Sequence, residues 1–171
     1  MKPFTLLISA ICLFALSSLA VAIHETQPAE TQVVLPGANA AKLYDYITKQ
    51  KPYTSWEMWP GKGKMYKGTQ PHGDFLTTYV NDAAMSGIKA KKGSMPDGSI
   101  IAKENYGADK KFAALTVMYK IKGYNPAAAD WFWAKYDGGG KIVASGKAEA
   151  CIRCHEMNKG NDYIYSGQLK K

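Results

Sequence analysis

Leu115-Thr116-Val117-Met118-Tyr119-Lys120-Ile121-Lys122 places an apolar residue at every second position. Successive side chains of a strand point to opposite faces of a sheet. Leu115, Val117, Tyr119 and Ile121 therefore share one face, Thr116, Met118, Lys120 and Lys122 the other, and the stretch predicts a β-strand laid on a core. The same signal recurs on both sides. Ser99 to Glu104, with its Ile100-Ile101 pair, follows the turn Pro96-Asp97-Gly98; Asp74 to Val80 alternates Phe75, Thr77 and Tyr79; Trp131 to Tyr136 is aromatic and is broken by Gly138-Gly139-Gly140. Helical signals are few. Asn39 to Gln50 spaces Ala40, Leu43, Tyr44 and Ile47 at three and four behind a capping Asn39, which predicts an amphipathic helix covering a sheet face. Asp82 to Ile88 follows a second capping residue, Asn81, and Lys147 to Lys159 lacks Gly and Pro. Lys51 to Gly73 is rich in Pro and Gly between Trp56, Met58, Trp59, Met65 and Tyr66, a composition of turns whose aromatics pack inward. The expected class is α+β: a predominantly antiparallel sheet of four or five strands, a few short helices, and a last helix that carries the cysteines.

With 171 residues, 46% hydrophobic and 21% charged, the chain can bury one core and is neither a disordered tail nor a low-complexity scaffold. Lys2 followed by the apolar run Phe4 to Leu19 and by Ala20-Val21-Ala22 reads as a cleaved secretory signal peptide over residues 1–22. That run is shorter than a membrane-spanning helix, and no basic stop-transfer cluster follows it. The expected location is periplasmic, with a Thr/Gln/Pro-rich flexible leader over 23–37, which holds His24, and a single domain over 38–171. The net charge of +8 is spread over scattered lysines, and the one arginine is Arg153. No arginine stripe marks a nucleic-acid footprint, so no nucleic-acid partner is expected; an acidic redox partner is compatible with the lysines.

Three cysteines are too few and too odd in number for a disulfide framework. Cleavage would remove Cys12 and leave Cys151 and Cys154, inside Cys151-Ile152-Arg153-Cys154-His155. C-x-x-C-H is the attachment signature of a c-type haem: two thiols one helical turn apart add to the vinyl groups, and the adjacent imidazole meets the iron. A thioredoxin-like dithiol would sit at the start of a βαβ unit, and a zinc site from Cys151, Cys154 and His155 lacks a fourth ligand. The expected cofactor is one covalent haem c, with His155 on the metal. Met157 is too close to His155 to reach the opposite haem face. Any sixth ligand must come from the preceding β-domain, where His72, Met58, Met65, Met85, Met95, Met118 and Lys103 are the candidates. His72, in Gln70-Pro71-His72-Gly73, reads first as a polar turn residue.

The ordered set Tyr79-Val80-Asn81, Pro96-Asp97-Gly98-Ser99-Ile100-Ile101-Ala102-Lys103-Glu104, Met118-Tyr119-Lys120, Gly123-Tyr124-Asn125, Asp130-Trp131-Phe132-Trp133, Cys151 to His155 and Asp162-Tyr163 resembles the cytochrome P460 family over about residues 40–167. The resemblance implies an antiparallel β fold, a homodimer, and one c-haem with a proximal His and an open, five-coordinate distal face. Two activities follow from it: oxidation of hydroxylamine with electrons passed to an acceptor cytochrome, or binding of nitric oxide; the competing class is a non-catalytic electron-transfer or gas-binding haem protein. P460 cytochromes carry a lysine bonded to the haem, and the matching position is Lys103. Where such a cytochrome has a basic residue before the Tyr-Val strand end, this chain offers Leu76. Strand parity puts Lys103 on the face of Ile101, opposite Ala102 and Glu104. Lys103 therefore enters the interior if Ile101 does.

Overall fold

The computed structural model describes residues 34–170. The signal peptide and most of the leader lie outside the described residues. Seven strands form one antiparallel sheet: β1 (Glu57–Met58), β2 (Tyr66–Lys67), β3 (Phe75–Val80), β4 (Ile100–Tyr106), β5 (Phe112–Lys120), β6 (Trp131–Asp137) and β7 (Ile142–Gly146). The order is β1-β3-β4-β5-β6-β7, with β2 sharing the outer edge of β3 with β1. The α+β class holds. The sheet exceeds the expected four or five strands because β1 and β2 are two-residue pairings inside the Pro/Gly-rich stretch and β7 follows the glycine run. Of the aromatics in that stretch, Trp59 is buried and Trp56 and Tyr66 are half-buried, whereas Met65 is exposed.

Both faces of the sheet are covered. On one, Ile100, Ala102, Leu115, Val117, Tyr119, Phe132, Ala134 and Tyr136 meet Leu43 and Ile47. These two belong to a helix that begins as α1 (Ala40–Asp45) and relaxes into a π-turn over Tyr46–Gln50. Asn39 Oδ1 accepts the Lys42 N–H at 2.9 Å, which satisfies one orphan donor of the first turn. On the other face, Ile101, Met118, Trp131 and Trp133 pack beneath α2 (Asp82–Ala90), which contributes Ala84, Met85 and Ile88 and is capped by Asn81. Thr116, Met118 and Lys120 do not face solvent: Met118 and Lys120 are buried, because α2 and the C-terminal segment cover the second face.

That second face is divided along its length. Ile101, Met118, Trp131 and Trp133 are apolar core, whereas the next residues of the same parity, Lys103, Asn105, Thr116 and Lys135, leave a cavity. The register pairs Ile101 with Met118 and Lys103 with Thr116, so the boundary falls between neighbouring rungs. The C-terminal helix α3 (Glu149–His155), followed by a 3-10 segment over Glu156–Asn161, closes the cavity from outside.

Candidate haem site

Helix α3 carries Cys151, half-buried, and Cys154, exposed, one turn apart and both free thiols. Burial pushes the Cys151 thiol up, with Lys135 acting in the opposite direction. His155 ends the helix and is buried. Its Nδ1 lies 2.7 Å from the Tyr163 carbonyl oxygen. A carbonyl only accepts, so Nδ1 carries the proton and Nε2 keeps its lone pair. Burial is the main reason that His155 is held below the usual imidazole range.

The carbonyl that fixes this tautomer is itself clamped. Asp162 and Tyr163 both take left-handed backbone angles, φ 56° and 65°. Non-glycine residues hold such angles only where their surroundings impose them. Asp162 Oδ1 meets the buried Lys120 Nζ at 2.6 Å, Oδ2 accepts the Met95 N–H at 2.7 Å, and its carbonyl accepts Trp131 Nε1–H at 2.9 Å. Lys120 also lies over the Trp131 ring at 4.7 Å. The ion pair is buried, and it locks the turn that aims the Tyr163 oxygen at His155.

Lys103 reaches the cavity together with His72, Cys154 and His155. Burial, with the Lys62 charge adding to it, lowers the amine to about 8. His72 also lines the cavity, where burial first and the Lys103 charge second hold it at about 4. Its ring stands 6.0 Å from that of His155, centroid to centroid, with planes at 87°. Of the other sequence candidates, Met118 lines the cavity, whereas Met85 and Met95 belong to the core beneath α2, Met58 is half-buried and Met65 is exposed. Leu76 lines a smaller adjoining cavity of about 320 Å³.

The main cavity measures about 760 Å³, within the range of cofactor sites. Four observations make it fit a haem. Two unpaired thiols open on it, a buried imidazole presents a free Nε2, and apolar Ile101, Met118 and Trp133 form a wall beside the cations Lys103 and Lys135. Trp133 Nε1, a donor of this wall, is the buried side-chain nitrogen among the described residues that lacks a partner. Among the described residues no group of three or more His, Cys, Asp or Glu converges, so the zinc alternative finds no ligand set there. Cysteines, histidine and cavity together define a haem-binding cytochrome.

The family model described as Cytochrome P460 matches residues 50–166. The chain belongs to the cytochrome P460 family, and haem is the cofactor that membership implies. No curated protein matches it significantly.

Cys151, Cys154, His155 and Lys103, singled out in the sequence, come together on one cavity. Sequence reading did not anticipate Asn105, Thr116 or the Lys120–Asp162 pair. Lys120 stood among the alternates of β5, and the signal that marked both partners was the family resemblance, which takes in Met118-Tyr119-Lys120 and Asp162-Tyr163.

Proposed function

We propose that this is a periplasmic monohaem c protein in which Cys151 and Cys154 hold the haem by thioether bonds and His155 Nε2 binds the iron. Its five-coordinate form takes a small nitrogenous ligand on the face opposite His155, and either oxidises hydroxylamine or binds nitric oxide. When bound, the haem supplies a redox-active Lewis acid whose electrons leave to an acceptor cytochrome. The protein's own residues do the rest. The Tyr163 carbonyl keeps His155 in the ligating tautomer, and the apolar wall of Ile101, Met118 and Trp133 excludes water.

The observation that carries the oxidase reading is Lys103. It stands in the cavity beside His155 and Cys154, and burial makes its amine more available as a nucleophile than a surface lysine. We propose that Nζ is bonded to the edge of the porphyrin. That bond replaces one N–H and one C–H, a two-electron oxidation; a peroxide supplied during maturation would take up the two electrons and two protons and leave as two waters. Tryptic mapping of protein matured in its own host should find the Lys103 peptide attached to the haem peptide. Lys103→Ala should then show an ordinary c-haem spectrum and no hydroxylamine oxidation. A free, trypsin-cleavable Lys103 in that protein would favour nitric oxide binding without catalysis.

A further inference from the structure

The Nε2 of His72 is the feature of the cavity that this function leaves unused. His72 sits in the loop before β3, and three contacts fix it there. His72 N–H donates to the Thr69 carbonyl at 3.1 Å, and Asp74 N–H donates to the Tyr106 carbonyl at 2.9 Å. Between them Gly73 adopts φ 108°, and a Cβ at that position would lie 2.6 Å from the same Tyr106 oxygen. Only glycine lets the loop approach β4 this closely.

The ring orientation follows from Asn105. Its Nδ2 lies 2.8 Å from the Lys103 carbonyl, 3.1 Å from the Ala114 carbonyl and 3.1 Å from Thr116 Oγ1. Carbonyl oxygens only accept, so the amide nitrogen must face them, and Asn105 Oδ1 must face His72. His72 Nδ1 lies 3.0 Å from that Oδ1. An amide oxygen cannot donate, so Nδ1 carries the proton and Nε2 presents a lone pair. Thr116 Oγ1, at 3.5 Å from Nδ1, adds a second polar contact on the same side. His72 thereby repeats the arrangement of His155: Nδ1–H tied to an oxygen, Nε2 free, and the ring on the cavity wall. A metal-binding histidine is oriented in this way.

The spacing agrees with a shared metal. With a nitrogen-to-metal distance of about 2.0–2.1 Å, two imidazoles on one metal ion place their rings on the order of 6 Å apart. The observed 6.0 Å matches, and perpendicular planes are permitted because each ring turns freely about its bond to the metal.

We propose that His72 Nε2 is a displaceable sixth ligand of the haem iron, opposite His155, so that the five-coordinate form is reached when His72 lets go. This inference rests on the haem reading given above. Small ligands then compete with a protein imidazole. Their apparent affinity is reduced by the fraction of protein in which His72 is off the iron.

The test is electron paramagnetic resonance and optical spectroscopy of the ferric holoprotein, with and without His72→Ala. The wild type should be low-spin with a bis-imidazole signature. His72→Ala should be high-spin and should return to low spin on addition of free imidazole. If His72 is bound in nine-tenths or more of the molecules, cyanide affinity in the variant should rise about tenfold or more. Should the variant fail to fold, the wild type alone decides: its cyanide-binding rate should level off at high cyanide, at the rate of His72 release. A high-spin wild type, a low-spin signal that survives in His72→Ala, or a rate linear in cyanide throughout would overturn the proposal. A denatured mass lacking bound haem would overturn both this proposal and the reading beneath it.

Discussion

Lys103 shows how far a single residue's place in a strand determines its chemistry. Alternation ties it to Ile101, but parity alone leaves the face undecided. The register decides it: Ile101 pairs with Met118 and lies in the core beneath α2, so Lys103, one rung on, enters the cavity. With its amine lowered to about 8, the neutral fraction falls about tenfold per unit as pH drops below that value. The initial rate of Lys103 cross-linking should therefore rise with pH up to about 8 and level off above it; mass spectrometry of timed samples measures this. Asp162 supports a second prediction. Removing one partner of a buried ion pair costs about 3–5 kcal/mol, whereas an apolar replacement of both is often close to neutral. Asp162→Ala should lose on the order of 3 kcal/mol in denaturant unfolding, and Lys120→Met with Asp162→Leu should recover much of it. The double variant should still shift the haem potential if the pair positions the Tyr163 carbonyl.

Among the elements, β3 to β6 were legible because period-two patterning needs no tertiary knowledge, and α1 and α2 because Asn39 and Asn81 mark their starts. The two-residue strands β1 and β2 were not legible. They exist by pairing with Tyr79, Val80, Phe75 and Leu76 of β3, not by any local preference. The second covered face of β5 was hidden for a related reason: Met118 and Lys120 read as polar-side alternates until α2 and the Asp162 turn arrive to bury them. Cys151, Cys154 and His155 were plain from local spacing, whereas His72 was not, since its turn composition says nothing about the Asn105 amide that orients it 33 residues away. The packing of α1 gives a direct measure of how the sheet is held. Leu43 is fully buried against the β4–β6 face, so Leu43→Ala should cost about 2–5 kcal/mol by transfer and cavity terms together. Thermal or denaturant unfolding reads it, and the haem spectrum should stay unchanged because α1 lies on the face opposite the cavity.

At the scale of the whole molecule, the sheet ends at β7, an edge strand that shows Ile142 and Val143 to solvent. An exposed apolar edge is a template for pairing, and we propose it as the homodimer contact. The wild type should sediment as a dimer and Ile142→Lys as a monomer; a monomeric wild type or an unaltered dimer in the variant would contradict this contact. The same sheet brings one face to α1 and shares the other between an apolar core and a cavity beneath α3. The account as a whole stands on what fills that cavity. Intact mass of the denatured mature protein, with mapping of the peptide containing Cys151 to His155, tests it most directly. One haem should remain bound through both Cys151 and Cys154 after denaturation, because thioether bonds survive where axial ligation does not. A bare polypeptide mass, after expression with the haem-attachment machinery, would contradict the account.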